Sequence, residues 1–196
     1  MSSEYRQLSA TEIRALLVEL LDRAAADGIE VDAYLVGGAA MALQLGRDQL
    51  TPDVDGLFRP FDAVVRIGAE MADEHGLSPT WVNENARPFI VFDITDDRHF
   101  VEVALGRHTI RVASPRALLA MKMARYARKD YADITTLILT LGLTTADEIA
   151  DLTIEVLGED SLTTSEGRDD LVLRAQDALR RARDAAEKGT QPQHVS

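Results

Sequence analysis

The stretch Tyr34–Phe58, YLVGGAAMALQLGRDQLTPDVDGLF, decides how this chain is read. It opens as a short strand from Tyr34 to Val36 and turns at Gly37-Gly38. It continues as a helix over Ala39 to Leu45 and returns as a strand carrying Asp53 and Asp55. Side chains alternate along a strand, so the two carboxylates share one face while Val54 takes the other. Like charges held that close repel unless a cation sits between them. Hard oxygen ligands of this kind suit Mg2+, which also tends to recruit substrate phosphates. Gly37 and Gly38 start a helix directly after a strand. There the backbone approaches a ligand closely, and the N–H groups of the helix start favour an anion.

Composition bounds what such a site can serve. A chain of 196 residues with 46% hydrophobic residues can bury a sizeable core in one domain, with or without a helical extension. No apolar run approaches the roughly 18 residues of a membrane-spanning helix. The first residues show no basic start followed by an apolar stretch, so no secretory signal is expected. There are no cysteines, which excludes disulfides and thiolate metal sites and fits a cytoplasmic location. The net charge of -12 argues against broad, non-specific nucleic-acid binding. The charge is uneven: Gly106–Lys129 holds seven Lys or Arg residues and no acid, leaving 14 basic against 33 acidic residues elsewhere. That basic island reads either as a phosphate-holding patch or as ordinary solvated faces.

Outward from the central stretch, residues 9–28 predict a helix with an apolar stripe and a capping box from Ser9 to Glu12. Pro60–Gly76 predicts a second helix, and Leu77–Pro88 a loop holding Trp81, the sole tryptophan. Trp81 reads as a lid on the core or as a stacking platform for a base. Phe89–Ile94 and His99–Leu105 read as strands joined by a hairpin loop at Thr95–Arg98. Glu102 stands in the middle of the second run, where it must sit at a sheet edge or meet a cation. Arg107–Ala113 predicts a further strand, and Ser114-Pro115 a helix start. Lys122 lies between two methionines, which reads as a lysine facing a cleft or as a snorkelling side chain. Thr144–Leu157 and Asp169–Lys188 predict helices around a polar linker at 158–167, and the last six residues read as a frayed end.

Gly-Gly, a helix and then Thr-x-Asp-Val-Asp resembles the nucleotidyltransferase superfamily of the polymerase-β type. Lys122, then Arg128-Lys129-Asp130 and Asp133 in an apolar helical pattern, looks like its AbiEii/MenT group of toxins, and Trp81-x-Asn83 after a proline looks like related small proteins. The resemblance covers residues 30–140. It implies an α/β (α+β) fold: a mixed sheet flanked by helices over 1–142, with a C-terminal helical part at 143–196. It implies Mg2+ held by Asp53, Asp55 and a third acid from a strand beside theirs, for which Glu102 is the best match and Asp93 the rival. Glu102 would then be a metal ligand or the base that takes the acceptor proton. Nucleotide contacts are implied for Gly37, Gly38, Thr51, Arg47 and Lys122. Asp130 and Asp133 read, in preference to a catalytic role, as helix-cap residues or as ion-pair partners of Arg125 and Arg128.

The implied activity is transfer of a nucleotide from an NTP to an acceptor. In the toxin group the acceptor is the 3′ end of tRNA, with a cognate antitoxin as partner. A small-molecule nucleotidyltransferase and a non-catalytic nucleotide-binding protein are the alternatives. The small-molecule enzyme predicts a pocket for a small polar ligand beside Asp55, and a Glu102 far from Asp53 and Asp55 weakens the enzyme reading sharply.

Overall fold

Ser9 starts the first helix. Its hydroxyl accepts the Glu12 N–H (3.3 Å), and the Glu12 carboxylate accepts the Ser9 N–H (2.9 Å), closing the expected capping box. The helix that follows, α1 (Ala10–Ala26), buries Ile13, Leu16, Leu17, Leu20, Leu21 and Ala24 as one stripe. The computed structural model describes residues 5–46, 50–159 and 167–190. Among the described residues no helix is long and apolar enough to cross a membrane.

The chain divides into two units, 1–90 with 94–113, and 91–93 with 114–196. The first is a five-stranded mixed sheet with helices. Its strands are β1 (Asp32–Leu35), β2 (Val54–Arg59), β3 (Val82–Asn83), β4 (Phe100–Leu105) and β5 (His108–Ala113), in the order β3-β2-β1-β5-β4. β1 runs antiparallel to β2 and parallel to β5. β2 is parallel to β3, and β4 is antiparallel to β5. Helix α2 (Gly37–Leu45) joins β1 to β2. It buries Ala39, Ala40, Met41 and Ala42, as expected of a helix with small apolar residues all round. Helix α3 (Phe61–His75) follows β2 and buries Val64, Ile67, Gly68, Met71 and Ala72. Tyr34, Leu35, Val54, Phe58 and Trp81 complete the core of this unit. The second unit holds α4 (Pro115–Arg125), α5 (Tyr131–Leu141), α6 (Ala146–Leu157) and α7 (Gly167–Thr190).

Several expectations are corrected. The division falls at Ala113/Ser114 and not at 142/143, because α4 and α5 pack with α6 and α7. Phe89–Ile94 is no strand: a 3-10 turn occupies Arg87–Phe89, and the residues after it belong to none of the five strands. β propensity supplies no hydrogen-bond partner, and β3 and β4 already occupy the two ends of the sheet. β3 instead comes from the segment expected as loop. The helix begun at Ser114 stops at Tyr126, whose φ of 43° is left-handed, and a 3-10 turn at Arg128–Asp130 leads into α5.

Candidate functional site

β2 presents its residues as the alternation requires. Val54 is fully buried and Asp55 after it is half-exposed; Asp53, also half-exposed, is the residue just before the strand begins. Two contacts fix the start of this strand. Thr51 exchanges backbone hydrogen bonds with Leu8 (2.8 and 3.1 Å), and the Val54 N–H donates to the Trp81 carbonyl (2.6 Å). The Thr51 hydroxyl donates to Asp53 Oδ1 and to the Asp53 carbonyl, each at 3.3 Å. Thr51 therefore orients the first aspartate. Leu8, fully buried, is part of the same arrangement and carries no signal of it in the sequence.

The glycine corner stands against the second aspartate. The Val36 N–H donates to the Asp55 carbonyl (2.9 Å), and the chain turns into α2 at Gly37 with φ 66°. A side chain there would be strained, because the left-handed region costs an L-residue about 1–2 kcal/mol. A methyl group on Gly37 would lie 3.6 Å from Asp55 Oδ2, so the helix start and the carboxylate are neighbours. Val36 caps α2 without a side-chain hydrogen bond, which leaves the N–H groups of the first turn, Gly37 and Gly38 among them, without that capping acceptor. An anion at this turn would meet these N–H groups and the positive end of the helix dipole.

Glu102 is placed elsewhere. It lies on β4, which β5 and β1 separate from β2. Three strand spacings amount to about 14 Å. Its register partner is Arg111, which also forms an ion pair with Asp32 (2.8 Å). Of the two readings left open for Glu102, the sheet edge is the one observed, and the expected third carboxylate beside Asp53 and Asp55 is corrected. The rival, Asp93, is exposed, lies on no strand and groups with the second unit. The strand that does flank β2 on its outer side offers Asn83, opposite Asp55.

Trp81 is fully buried and donates from Nε1 to the Gly68 carbonyl (2.8 Å), so it closes the core and offers no stacking face. Lys122 Nζ donates to Asp130 Oδ1 (3.0 Å) and Asp133 Oδ2 (2.8 Å), with all three side chains at most 8% exposed. Its ammonium is committed to a buried ion cluster of the helical unit. Arg125 completes that cluster with two bonds to Asp130 (2.8 and 2.6 Å). Arg47 lies outside the described residues. The basic island is largely neutralised: Arg107 pairs with Asp22, Arg111 with Asp32, Arg116 with Glu155 and Arg125 with Asp130.

The residues at the corner fit a magnesium ion, which keeps several of its waters and takes few protein ligands. Two carboxylates suffice where water and substrate phosphates complete the shell. Among the described residues, a set of three converging metal-competent side chains occurs at Glu19, Glu74 and His75. There the Arg23 guanidinium already bonds both glutamates, so the negative charge has its cation.

No protein-family model matches the chain, and a search of curated proteins finds no match. Among solved structures, the chain is similar to an antigenic nucleotidyltransferase-like protein from Paracoccidioides brasiliensis. The identity is 15%, the TM-score is 0.54, and the match covers 91% of this chain and 95% of that one. The likeness shows a nucleotidyltransferase-like fold and does not single out the AbiEii/MenT group.

Proposed function

We propose that the protein binds a nucleoside triphosphate with Mg2+ at the Asp53–Asp55 edge of β2 and transfers a nucleotide from it to an acceptor. The observation that carries this reading is the Asp55 carboxylate standing against the left-handed Gly37 corner of α2, within a nucleotidyltransferase-like fold. Asp53 and Asp55 would hold the ion, with Thr51 keeping Asp53 in place. The first-turn N–H groups at Gly37 and Gly38 would take phosphate oxygens. Bound Mg2+ offsets the negative charge that builds on the phosphates. Nucleotidyl transfer is an in-line displacement at the α-phosphorus, in which holding the acceptor hydroxyl in place and offsetting the developing charge would supply much of the rate. A site without Glu102 is compatible with that chemistry. The acceptor implied by the resemblance is the 3′ end of tRNA, in a toxin paired with an antitoxin.

The distance of Glu102 from β2 favours a second reading, a nucleotide-binding protein that does not turn over. Labelled NTPs and total tRNA, incubated with wild type and Asp53→Ala, separate the two. Label on RNA with wild type alone supports transfer. Nucleotide bound but never transferred supports the second reading. No nucleotide bound by wild type rejects both.

A further inference from the structure

Asp55 has one strand on each side. On β1, Leu35 stands opposite Gly56, and the next residue, Val36, bonds the Asp55 carbonyl. That flank is apolar. On β3, Asn83 stands opposite Asp55. Directly paired residues on neighbouring strands face the same side about 4.8 Å apart. The nearest cross-strand side chain to Asp55 on that face is therefore a neutral amide.

Asn83 is held firmly. It is 7% exposed, its Oδ1 accepts the Asn85 N–H (2.9 Å), and its Nδ2 donates to the Thr80 carbonyl (3.3 Å). The next residue, Glu84, does carry a carboxylate, but that group is spent elsewhere. It accepts the Phe58 N–H (2.8 Å) and bonds Arg59 (3.2 Å) and Arg87. Among the described residues of β1 and β3, neither strand brings a free acid to Asp55.

We infer that Asn83 leaves Asp55, among the described residues of its flanking strands, without a third carboxylate, so that the divalent cation is held only in company with the triphosphate. The inference rests on the proposed function and concerns the order in which that site fills. Affinity for a hard cation follows the number of charged ligands and the rigidity of the site. Two carboxylates leave most of the coordination shell to water, while a triphosphate adds several anionic oxygens at once. Cation and nucleotide then strengthen one another by the same factor, as linkage requires. An aspartate at 83 adds a third negative charge on the same face. Crowded carboxylates favour a cation even without nucleotide.

Mn2+ serves as the probe, since it shares the oxygen preference of Mg2+ and enhances water-proton relaxation when protein-bound. The full chain is titrated with and without a non-hydrolysable α,β-methylene nucleoside triphosphate, as wild type, Asn83→Asp, Asn83→Ser and Asp53→Asn. Wild type should hold Mn2+ at least about tenfold more tightly with the nucleotide than without it. Asn83→Ser should keep that dependence. Asn83→Asp should tighten nucleotide-free binding by about tenfold and so narrow the gap. The aspartate forfeits the bond to Thr80, so if that variant does not fold, the wild-type comparison and Asn83→Ser decide. Wild type binding Mn2+ equally well without nucleotide, in a way Asp53→Asn abolishes, overturns this inference and leaves the proposed function standing. No nucleotide bound under any condition overturns both.

Discussion

At Lys122 two buried carboxylates, Asp130 and Asp133, surround one ammonium, with the Arg125 guanidinium completing a balanced set of charges. Burial works to raise the Asp130 carboxyl, but the hydrogen bonds from Arg125 and the charge of Lys122 outweigh it and hold the pKa below its ordinary value. A depressed folded-state pKa stabilises above the unfolded value of about 3.9, and that contribution is lost as pH falls through the folded value. Lys122→Met keeps the volume and removes the cation. Breaking a buried pair in this way costs about 3–5 kcal/mol, because the remaining charge has lost its partner. Urea unfolding near neutral pH should show that loss. Toward acid the gap between wild type and variant should shrink, because protonation of Asp130 removes a negative charge that Lys122 compensates. A gap that stays constant with pH would place the effect in packing. In the sequence, Lys122 between two methionines marked a lysine on an apolar face, and Asp130 was legible as a partner of Arg125. What joins Asp133 to Lys122 is the chain reversal at Tyr126, and a tyrosine at positive φ leaves no local mark.

Helix α3 meets β3 at Gly68, and this contact decides where the outer edge of the site lies. A Cβ on Gly68 would stand 2.5 Å from Val82 Cγ1, and its carbonyl receives the Trp81 indole N–H. Alanine gains up to about 1 kcal/mol in helix propensity. Overpacking against a stiff β-branched neighbour costs about 1–3 kcal/mol, so the loss should win. Gly68→Ala should melt below wild type in a thermal scan. It should also weaken nucleotide binding, because β3 carries Asn83 and Trp81 anchors the Val54 N–H. An unchanged or higher melting temperature would mean that α3 and β3 separate at little cost. At this scale the helices were readable from the sequence, since stripes and caps are local: Ser9 with Glu12 closes its capping box, and Ser114 with Pro115 starts a helix. Strands were harder. Val82–Asn83 is too short to show an alternation, and the apolar run Phe89–Ile94 looks strand-like yet joins none of the strands. The order of strands was not readable at all, because it depends on pairings distant in sequence. That is why Asp53 and Asp55 could be placed on one face from their spacing while Glu102 was assigned to the wrong neighbourhood.

For the molecule as a whole, charge sets what kind of acceptor can approach. The net charge of -12 repels polyanions, and the basic island between Gly106 and Lys129 does little to reverse it. Arg107, Arg111, Arg116, Lys122 and Arg125 each face a carboxylate of their own unit, while Arg128 and Lys129 are exposed. Exposed ion pairs are individually worth about 0–1 kcal/mol, so a phosphate can displace one. The exchange then leaves a carboxylate beside the phosphate and recovers little of the gain from counterion release. An RNA acceptor held through Arg128 and Lys129 makes about two phosphate contacts, for which the slope of log K against log salt is roughly -1.4. Fluorescence anisotropy of labelled tRNA across a salt series should therefore give weak binding with a slope no steeper than about -2. A much steeper slope would require the paired arginines to open toward RNA. The basic island would then be a nucleic-acid surface after all, and recognition of the acceptor would rest on Coulomb attraction and not on the fit of its terminal hydroxyl into the corner beside Asp55.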